Sequence, residues 1–284
     1  MEQRLSRPAP HDALSDPVAE QAIRAFRERH GDLELAPVVV VIPALNEEDC
    51  VGGVLDDIPA EVCGLAVQTI VVDDGSSDRT GEVAREHGAL VARLERNLGQ
   101  GSAFRVGYQL GREHGARYLV TLDADGQWDP ADMAGVLQPV VEGEAEFVLG
   151  SRVLGRTEND NRLRGAGVRV FGTLVTILTG VKVTDTSSGL RAMVAELTAN
   201  VPQHEPQYQS SELLLGAIYA GYRVAERPIV MHKRTAGESK KGHDVMFGVR
   251  YANVLLRTWW RARRSAKLHT QSEPAEVEFE QVRG

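Results

Sequence analysis

From residue 37 onward, short apolar runs alternate with stretches whose apolar residues are spaced three and four apart. "PVVVVIP" (37–43), "VQTIVVDD" (67–74), "LVARL" (90–94), "RYLVTLDAD" (117–125) and "EFVLGSR" (146–152) have the length and composition of buried strands. Between them, "EEDCVGGVLDDI" (47–58), "SDRTGEVAREHG" (77–88), "GSAFRVGYQLGREHG" (101–115) and "PADMAGVLQPVVEG" (130–143) have helical spacing. Strand–helix repetition with short links predicts an α/β fold: a Rossmann-like, mostly parallel sheet with helices on both faces. Ahead of it, Asp16 can cap a helix, Pro17 suits the first turn and Gly31 can end it, so one helix is expected near 17–30.

The second half is less regular. Helices are expected near 164–180 and 210–220, a strand at 222–230, a loop at 232–243 and a long helix at 244–267. The pattern divides the chain into an N-terminal extension with one helix (1–36), a main domain (37–243), an amphipathic basic helix (244–268) and an acidic tail (269–284). The tail has the composition of a disordered segment.

Composition narrows the class. The chain has 284 residues, 42% hydrophobic and 25% charged, as a globular protein should. No apolar run reaches the ~20 residues needed to span a bilayer, and "MEQRLSRPAPHD" lacks the apolar core of a signal peptide. Cys50 and Cys63 fit no metal or redox spacing, which points to a reduced, cytoplasmic protein.

Charge changes the picture further. The net charge is −8, yet residues 232–268 hold ten Lys/Arg and two Asp/Glu, a local +8 that leaves −16 elsewhere. That contrast implies an anionic partner. On the helix at 244–267, Val245, Val249, Ala252, Leu256 and Trp259 share one face, and Arg250, Arg257, Arg261 and Arg264 the other. With Trp259 and Trp260 near its end, this helix suits the anionic inner face of a membrane, as a peripheral protein would use it. The other reading is that its apolar face packs on the protein's own core. Nucleic acid is not expected, because stacking aromatics are not interleaved with the basic residues.

"LDADGQWDP" (122–130) carries the candidate chemistry. Asp123 and Asp125 are one residue apart, and in extended chain they share a face. Two carboxylates so close repel unless a cation sits between them or one is protonated. Taken alone they could instead form an Asx turn or cap the next helix. Asn46–Glu47 and Asp73–Asp74 also fall at expected strand ends, where such sheets bind ligands. A divalent cation could bridge carboxylates and a diphosphate there. "GQG" (99–101) follows the third strand, not the first, so close helix packing explains Gly99 and Gly101 better than dinucleotide binding.

Seven segments in order, "VVVVIPALNEE", "VVDDGSSDRT", "RNLGQGSAFRVGYQLG", "LDADGQ", "VLGSR", "DTSSGLRAM" and "RTAGESK", resemble a family 2 glycosyltransferase of GT-A fold. The chain is similar to the branch of dolichyl- and polyprenyl-phosphate mannosyl- and glucosyltransferases over roughly residues 37–243. The resemblance implies inverting transfer of a mannose- or glucose-type sugar from a GDP- or UDP-linked nucleotide sugar to polyprenyl phosphate, with Mg2+ or Mn2+. By that match Pro43, Ala44 and Glu47 would line the nucleoside pocket, Asp74 would meet the base, and Asp123, Ala124 and Asp125 would hold the donor. Asp125 and Gln127, with Asp123 beside them, would hold the metal. Arg152, Arg164, Arg234 and Lys240 fall where this branch grips phosphates.

The acceptor stays open at this level. A phosphate monoester needs no general base, whereas a hydroxyl does, and Glu212 of "YQSSELLL" or Asp185 of "DTSSGLR" could serve as one. A second reading is therefore transfer to a hydroxyl of a glycan or small metabolite. A third is an idle nucleotide-sugar-binding subunit of a membrane complex, against which intact Asp123, Asp125, Arg234 and Lys240 count. Docking on a separate integral membrane protein is compatible with the first reading.

Overall fold

The computed structural model describes residues 16–158, 162–205, 207–234 and 251–263. Its strands are β1 (Val38–Ala44), β2 (Glu61–Val62), β3 (Leu65–Asp73), β4 (Leu90–Arg93), β5 (Tyr118–Thr121), β6 (Phe147–Thr157), β7 (Arg191–Val194) and β8 (Val224–Met231). They form one sheet in the order β2-β3-β1-β5-β7-β6-β8, with β4 beside β3. The pairs β1–β3, β1–β5, β3–β4 and β6–β8 are parallel. β7 runs antiparallel between β5 and β6, and β2 forms a short hairpin with β3.

Helices cover both faces, and strand alternation decides which residue serves which side. Val39 and Val41 of β1 join Phe104 and Tyr108 of α4 (Gln100–Glu113) and Leu213 and Leu215 of α8 (Gln209–Tyr219). Val38, Val40 and Ile42 join Val54 of α2 (Val51–Asp57), Ala84 of α3 (Thr80–Glu86) and Val136 and Leu137 of α5 (Met133–Val141). α1 (Pro17–His30), capped by the Asp16 carboxylate on Val18 N, buries Ala19, Ile23 and Phe26 in the first cluster. α6 (Arg162–Thr179) and α7 (Leu197–Asn200) complete this side. A further helical segment, residues 251–263, is named α9.

The mostly parallel sheet and its two helical layers follow the expectation. Several local features do not. β5 ends at Thr121, so Asp123 and Asp125 lie beyond the strand, in a turn with Gly126 at φ 68°, and do not share a strand face. β7 was not expected: "RAMV" opens on an arginine and follows a serine-rich stretch, so it carries no apolar run. Gly99 has a φ of 92° at the start of α4, which itself calls for glycine where the sequence suggested only close packing. Close packing is the task of Gly107 and Gly111, where a Cβ would strike Val41 and Leu119.

The phase of α9 also differs. Tyr251, Leu255 and Thr258 are buried, while Leu256 and Trp260 face outward. The Tyr251 hydroxyl hydrogen-bonds with Thr186 Oγ1 at 2.6 Å and with Ser211, and its ring meets Phe171 of α6 at 4.5 Å. These contacts set the rotation of the helix. The core-packing reading therefore describes one face of α9, built on Tyr251 rather than on Leu256. Val245, Val249, Arg250, Arg264 and the acidic tail lie outside the described residues.

Candidate active site

Glu47, Asp73, Asp74, Asp123 and Asp125 gather at the carboxyl edge of the central strands β1, β3 and β5. Pro43 and Ala44 end β1, paired with Val72 and Asp73 of β3, and both are buried. Asp73 receives Arg93 at 2.6 Å and the Ser76 backbone N–H at 2.8 Å. Asp74, 3% exposed, accepts the N–H groups of Leu98 (2.7 Å) and Gly99 (2.9 Å). Burial pushes its carboxyl pKa up, against the pull of those two hydrogen bonds. In this arrangement Asp74 holds the loop that leads into α4.

Asp123 and Asp125 point to different partners. Asp123 accepts Gln100 Nε2 at 2.9 Å through Oδ1 and Trp128 Nε1 at 2.8 Å through Oδ2. Asp125 accepts the Gln127 N–H at 3.1 Å, and its other oxygen lies 3.8 Å from Arg234 Nη1. Ala124 between them is buried in the core, which anchors the turn. The Gln127 carbonyl accepts the His232 N–H at 2.8 Å, tying the turn to the end of β8.

Arg234 links three strand ends. Its Nη2 is 2.6 Å from both carboxylate oxygens of Glu47, whose own N–H donates to Thr80 Oγ1 at 2.8 Å. Burial alone would weaken the guanidinium charge; the Glu47 carboxylate more than offsets this and holds the Arg234 pKa above its ordinary value. A cation from the end of β8 thus stands between carboxylates that follow β1 and β5.

Arg152 of β6 forms a two-point pair with Asp185, at 2.6 and 3.1 Å, and its guanidinium stacks 5.0 Å from the Trp128 ring. Asp185 is wholly buried. Glu212 is 2% exposed and accepts the N–H groups of His204 and Glu205, both at 2.8 Å, and Arg261 of α9 at 3.1 Å. Burial raises its pKa, with the two N–H groups and Arg261 opposing. Both carboxylates considered as bases are therefore committed to structural partners. The Arg164 side chain and Lys240 lie outside the described residues.

Four residues that the sequence did not flag complete the cluster. Trp128 and Gln100 hold the Asp123 carboxylate. Gly189 leaves it room: a Cβ there would overlap Asp123 Oδ2 and Trp128 Nε1. Arg191 is buried behind the site and donates to the Ser188 carbonyl and Ser210 Oγ, and burial lowers its pKa. Trp128 lies in the 122–130 stretch, and Gln100, Gly189 and Arg191 lie in segments that carry the family resemblance, but no spacing in the sequence pairs them with Asp123.

The donor set suits a hard divalent cation: carboxylate oxygens of Asp123 and Asp125 and the amide oxygen of Gln127 at one turn. Among the described residues, no group of three or more His, Cys, Asp or Glu is assembled around a metal position. A cation here would need further oxygens from a ligand such as a diphosphate, as Mg2+ commonly does.

A sequence model of the Glycosyl transferase family 2 domain matches residues 39–200. The chain belongs to glycosyl transferase family 2. Among its family 2 relatives is the dolichyl-phosphate hexose transferase of Haloferax volcanii, 36% identical over 203 residues, covering 72% of this chain and 86% of that protein. The polyprenol monophosphomannose synthase of Mycolicibacterium smegmatis is 30% identical over 218 residues, covering 71% and 80%. In fold, the chain is similar to glucosyl-3-phosphoglycerate synthase from Mycobacterium tuberculosis, solved in complex with Mn2+, UDP-glucose and glycerol 3-phosphate. That likeness has a TM-score of 0.60 and 23% identity over 84% and 83% of the two chains. The GT-A architecture of a family 2 transferase accounts for the strand order and the acidic edge.

Proposed function

We propose that this family 2 protein transfers a hexose from a nucleotide sugar to polyprenyl phosphate at a membrane surface. The observation that carries the proposal is the convergence at Arg234: one guanidinium, at the end of β8, meets Glu47 and approaches Asp125 at two other strand ends. Such a fork can pass from carboxylate to phosphate oxygens, with which it pairs equally well. Asp125, Asp123 and Gln127 are the residues that would hold Mg2+ or Mn2+, and the ion would neutralise the charge of the departing diphosphate. Glu47 and Asp74 frame the nucleoside side, beside buried Pro43 and Ala44.

Arg152 is preorganised by Asp185 and Trp128, close to the Asp123 turn, and suits the acceptor phosphate; Arg164 and Lys240 are expected to assist. A phosphate oxyanion attacks the anomeric carbon with inversion and gives up no proton, so no base is required. The commitment of Glu212 and Asp185 to other partners favours this acceptor over a hydroxyl. Relatives named for dolichyl-phosphate and polyprenol monophosphate chemistry support the same reading. Peripheral attachment to the cytoplasmic face of a membrane fits a chain in which no described helix is long and apolar enough to cross one.

The test is incubation of the purified protein with a panel of labelled UDP- and GDP-sugars, polyprenyl phosphate and Mg2+ or Mn2+. Label passing into the organic phase with one donor is the expected result and names that donor. Label appearing on a water-soluble glycan instead would overturn the lipid acceptor, and absence of turnover with every donor would favour an idle binding subunit.

A further inference from the structure

α6 and α9 lie side by side and run in the same direction: Phe171 meets Tyr251, and eight residues further along α9, Trp259 Nε1 donates to the Leu178 carbonyl at 3.2 Å. Each helix turns one side to the core, through Val168 and Val175 on α6 and Tyr251 and Leu255 on α9. At 100° per residue, the opposite sides carry Val170 and Ile177 on α6 and Leu256 and Trp260 on α9. These four are 63%, 75%, 47% and 57% exposed. Given the parallel packing and the shared inward side, both outer stripes face the same way. Among the described residues, four of the five exposed large hydrophobic residues thus belong to one two-helix face.

The charge of this face is one-sided. Together α6 and residues 251–263 contain six arginines and no acidic residue, in a chain whose net charge is −8. Arg169, Arg257 and Arg263 are exposed on it. Arg263 sits 5.2 Å from the Trp259 ring, and α9 is pinned in place by Arg261 on Glu205 and Glu212. An exposed apolar patch rimmed by cations, with an outward tryptophan, has the make-up of an interfacial surface.

We propose that α6 and α9 form a single membrane-contact face, with Val170, Ile177, Leu256 and Trp260 entering the headgroup zone of an anionic bilayer and the arginines pairing with lipid phosphates. The proposal rests on the lipid acceptor of the proposed function and extends it. It assigns half of the contact to α6, a helix of the catalytic domain, so that docking fixes the orientation of the domain rather than tethering it by one helix. Charge and apolarity together decide the partner: a basic face without acids complements anionic headgroups, and outward Val170, Ile177 and Leu256 have aliphatic side chains that cannot stack on bases. The interaction should combine apolar insertion with a salt-sensitive attraction.

The experiment is flotation with vesicles of phosphatidylcholine alone or mixed with phosphatidylglycerol, using the full chain and the variants Val170→Glu/Ile177→Glu and Leu256→Glu/Trp260→Glu. Melting temperature is the check that each variant folds, and transfer to a short, water-soluble polyprenyl phosphate is read in parallel. The full chain should bind the mixed vesicles preferentially, and each pair of substitutions should weaken binding roughly tenfold or more while transfer to the short acceptor persists. Unaltered binding in Val170→Glu/Ile177→Glu would overturn the role of α6. Equal binding to both vesicle types would overturn the anionic partner, and a concentration-dependent dimer abolished by the same substitutions, without vesicle binding, would assign the face to a second copy. Vesicle binding without transfer to any polyprenyl phosphate would leave this face standing and remove the proposed reaction.

Discussion

Arg152 and Asp185 meet by two parallel hydrogen bonds, Nε to Oδ2 at 2.6 Å and Nη2 to Oδ1 at 3.1 Å, with the carboxylate wholly buried. A buried pair of this kind is weak evidence for stability, yet removing one partner leaves an uncompensated charge. Arg152→Met should therefore lower stability by about 3 kcal/mol, read as a shift in the urea midpoint. Arg152→Lys keeps the charge but loses the fork. It should melt closer to the parent and still raise KM for polyprenyl phosphate more than KM for the nucleotide sugar. Equal effects on both KM values would remove Arg152 from the acceptor side.

Asp125 has one oxygen on a backbone N–H and the other turned toward Arg234. Asp125→Asn keeps the first contact and removes the charge. Turnover should fall by roughly two orders of magnitude or more, as for other charge-stabilising groups, with a melting temperature near the parent's. Titration with Mn2+, followed by its electron paramagnetic signal in the presence of UDP or GDP, should show weakened binding. Parent-like turnover would exclude the carboxylate from the donor site.

Gly189 and Gly53 make opposite predictions from one substitution. A Cβ on Gly189 collides with the Asp123 carboxylate and the Trp128 indole, whereas a Cβ on Gly53, in α2, meets nothing within 4 Å. Gly189→Ala should lose about 1–3 kcal/mol through overpacking and most of its activity, because Asp123 must move. Gly53→Ala should gain about 0.5–1 kcal/mol and turn over as before. Thermal melts and a single transfer assay check both.

Arg27 and Glu113 join α1 to α4 through hydrogen bonds of 3.0 and 2.6 Å. Burial tends to raise the Glu113 pKa, but the hydrogen bonds from Arg27 and Gln109 prevail and hold it below its ordinary value. A carboxyl with a depressed folded pKa contributes stability that is full above its unfolded pKa, near 4.5, and is lost as pH falls through the folded value. The pair is half exposed, so about 0.5 kcal/mol is expected. Glu113→Gln should narrow the gap to the parent as the pH drops below that point, measured by urea melts at pH 7 and in acid. A gap that stays constant with pH would contradict the ion pair.

How much of this was legible in the sequence depended on whether the signal was local. β1 and β3 announced themselves as valine-rich runs, and Asp73 and Asp123 marked the edge because each follows such a run directly. β7 was hidden, since its opening residue, Arg191, is buried by the fold rather than by its own polarity. Trp128 and Gln100 could not be paired with Asp123 from spacing, because one contact crosses a turn and the other crosses the sheet edge. The phase of α9 is hidden from the sequence for the same reason: the Tyr251 hydroxyl, held by Thr186 and Ser211, outweighs the periodicity of Val, Ala and Leu.

Glu212 offers the last test, because a base and a clamp respond differently. Its carboxylate accepts two backbone N–H groups and the Arg261 guanidinium, so it fastens the 204–205 segment and α9 to α8. Glu212→Ala leaves the part-buried N–H groups of His204 and Glu205 without their acceptor, at about 1 kcal/mol each, and should loosen α9, seen as faster amide exchange at Leu255 and Thr258. Glu212→Gln retains an acceptor and removes the charge whose burial is unfavourable, so it should be the milder change. A general base would behave the other way: Glu212→Gln would fold normally and lose nearly all turnover. Comparing melting temperature with turnover in this one variant therefore decides whether Glu212 is a clamp or the base that a hydroxyl acceptor would need.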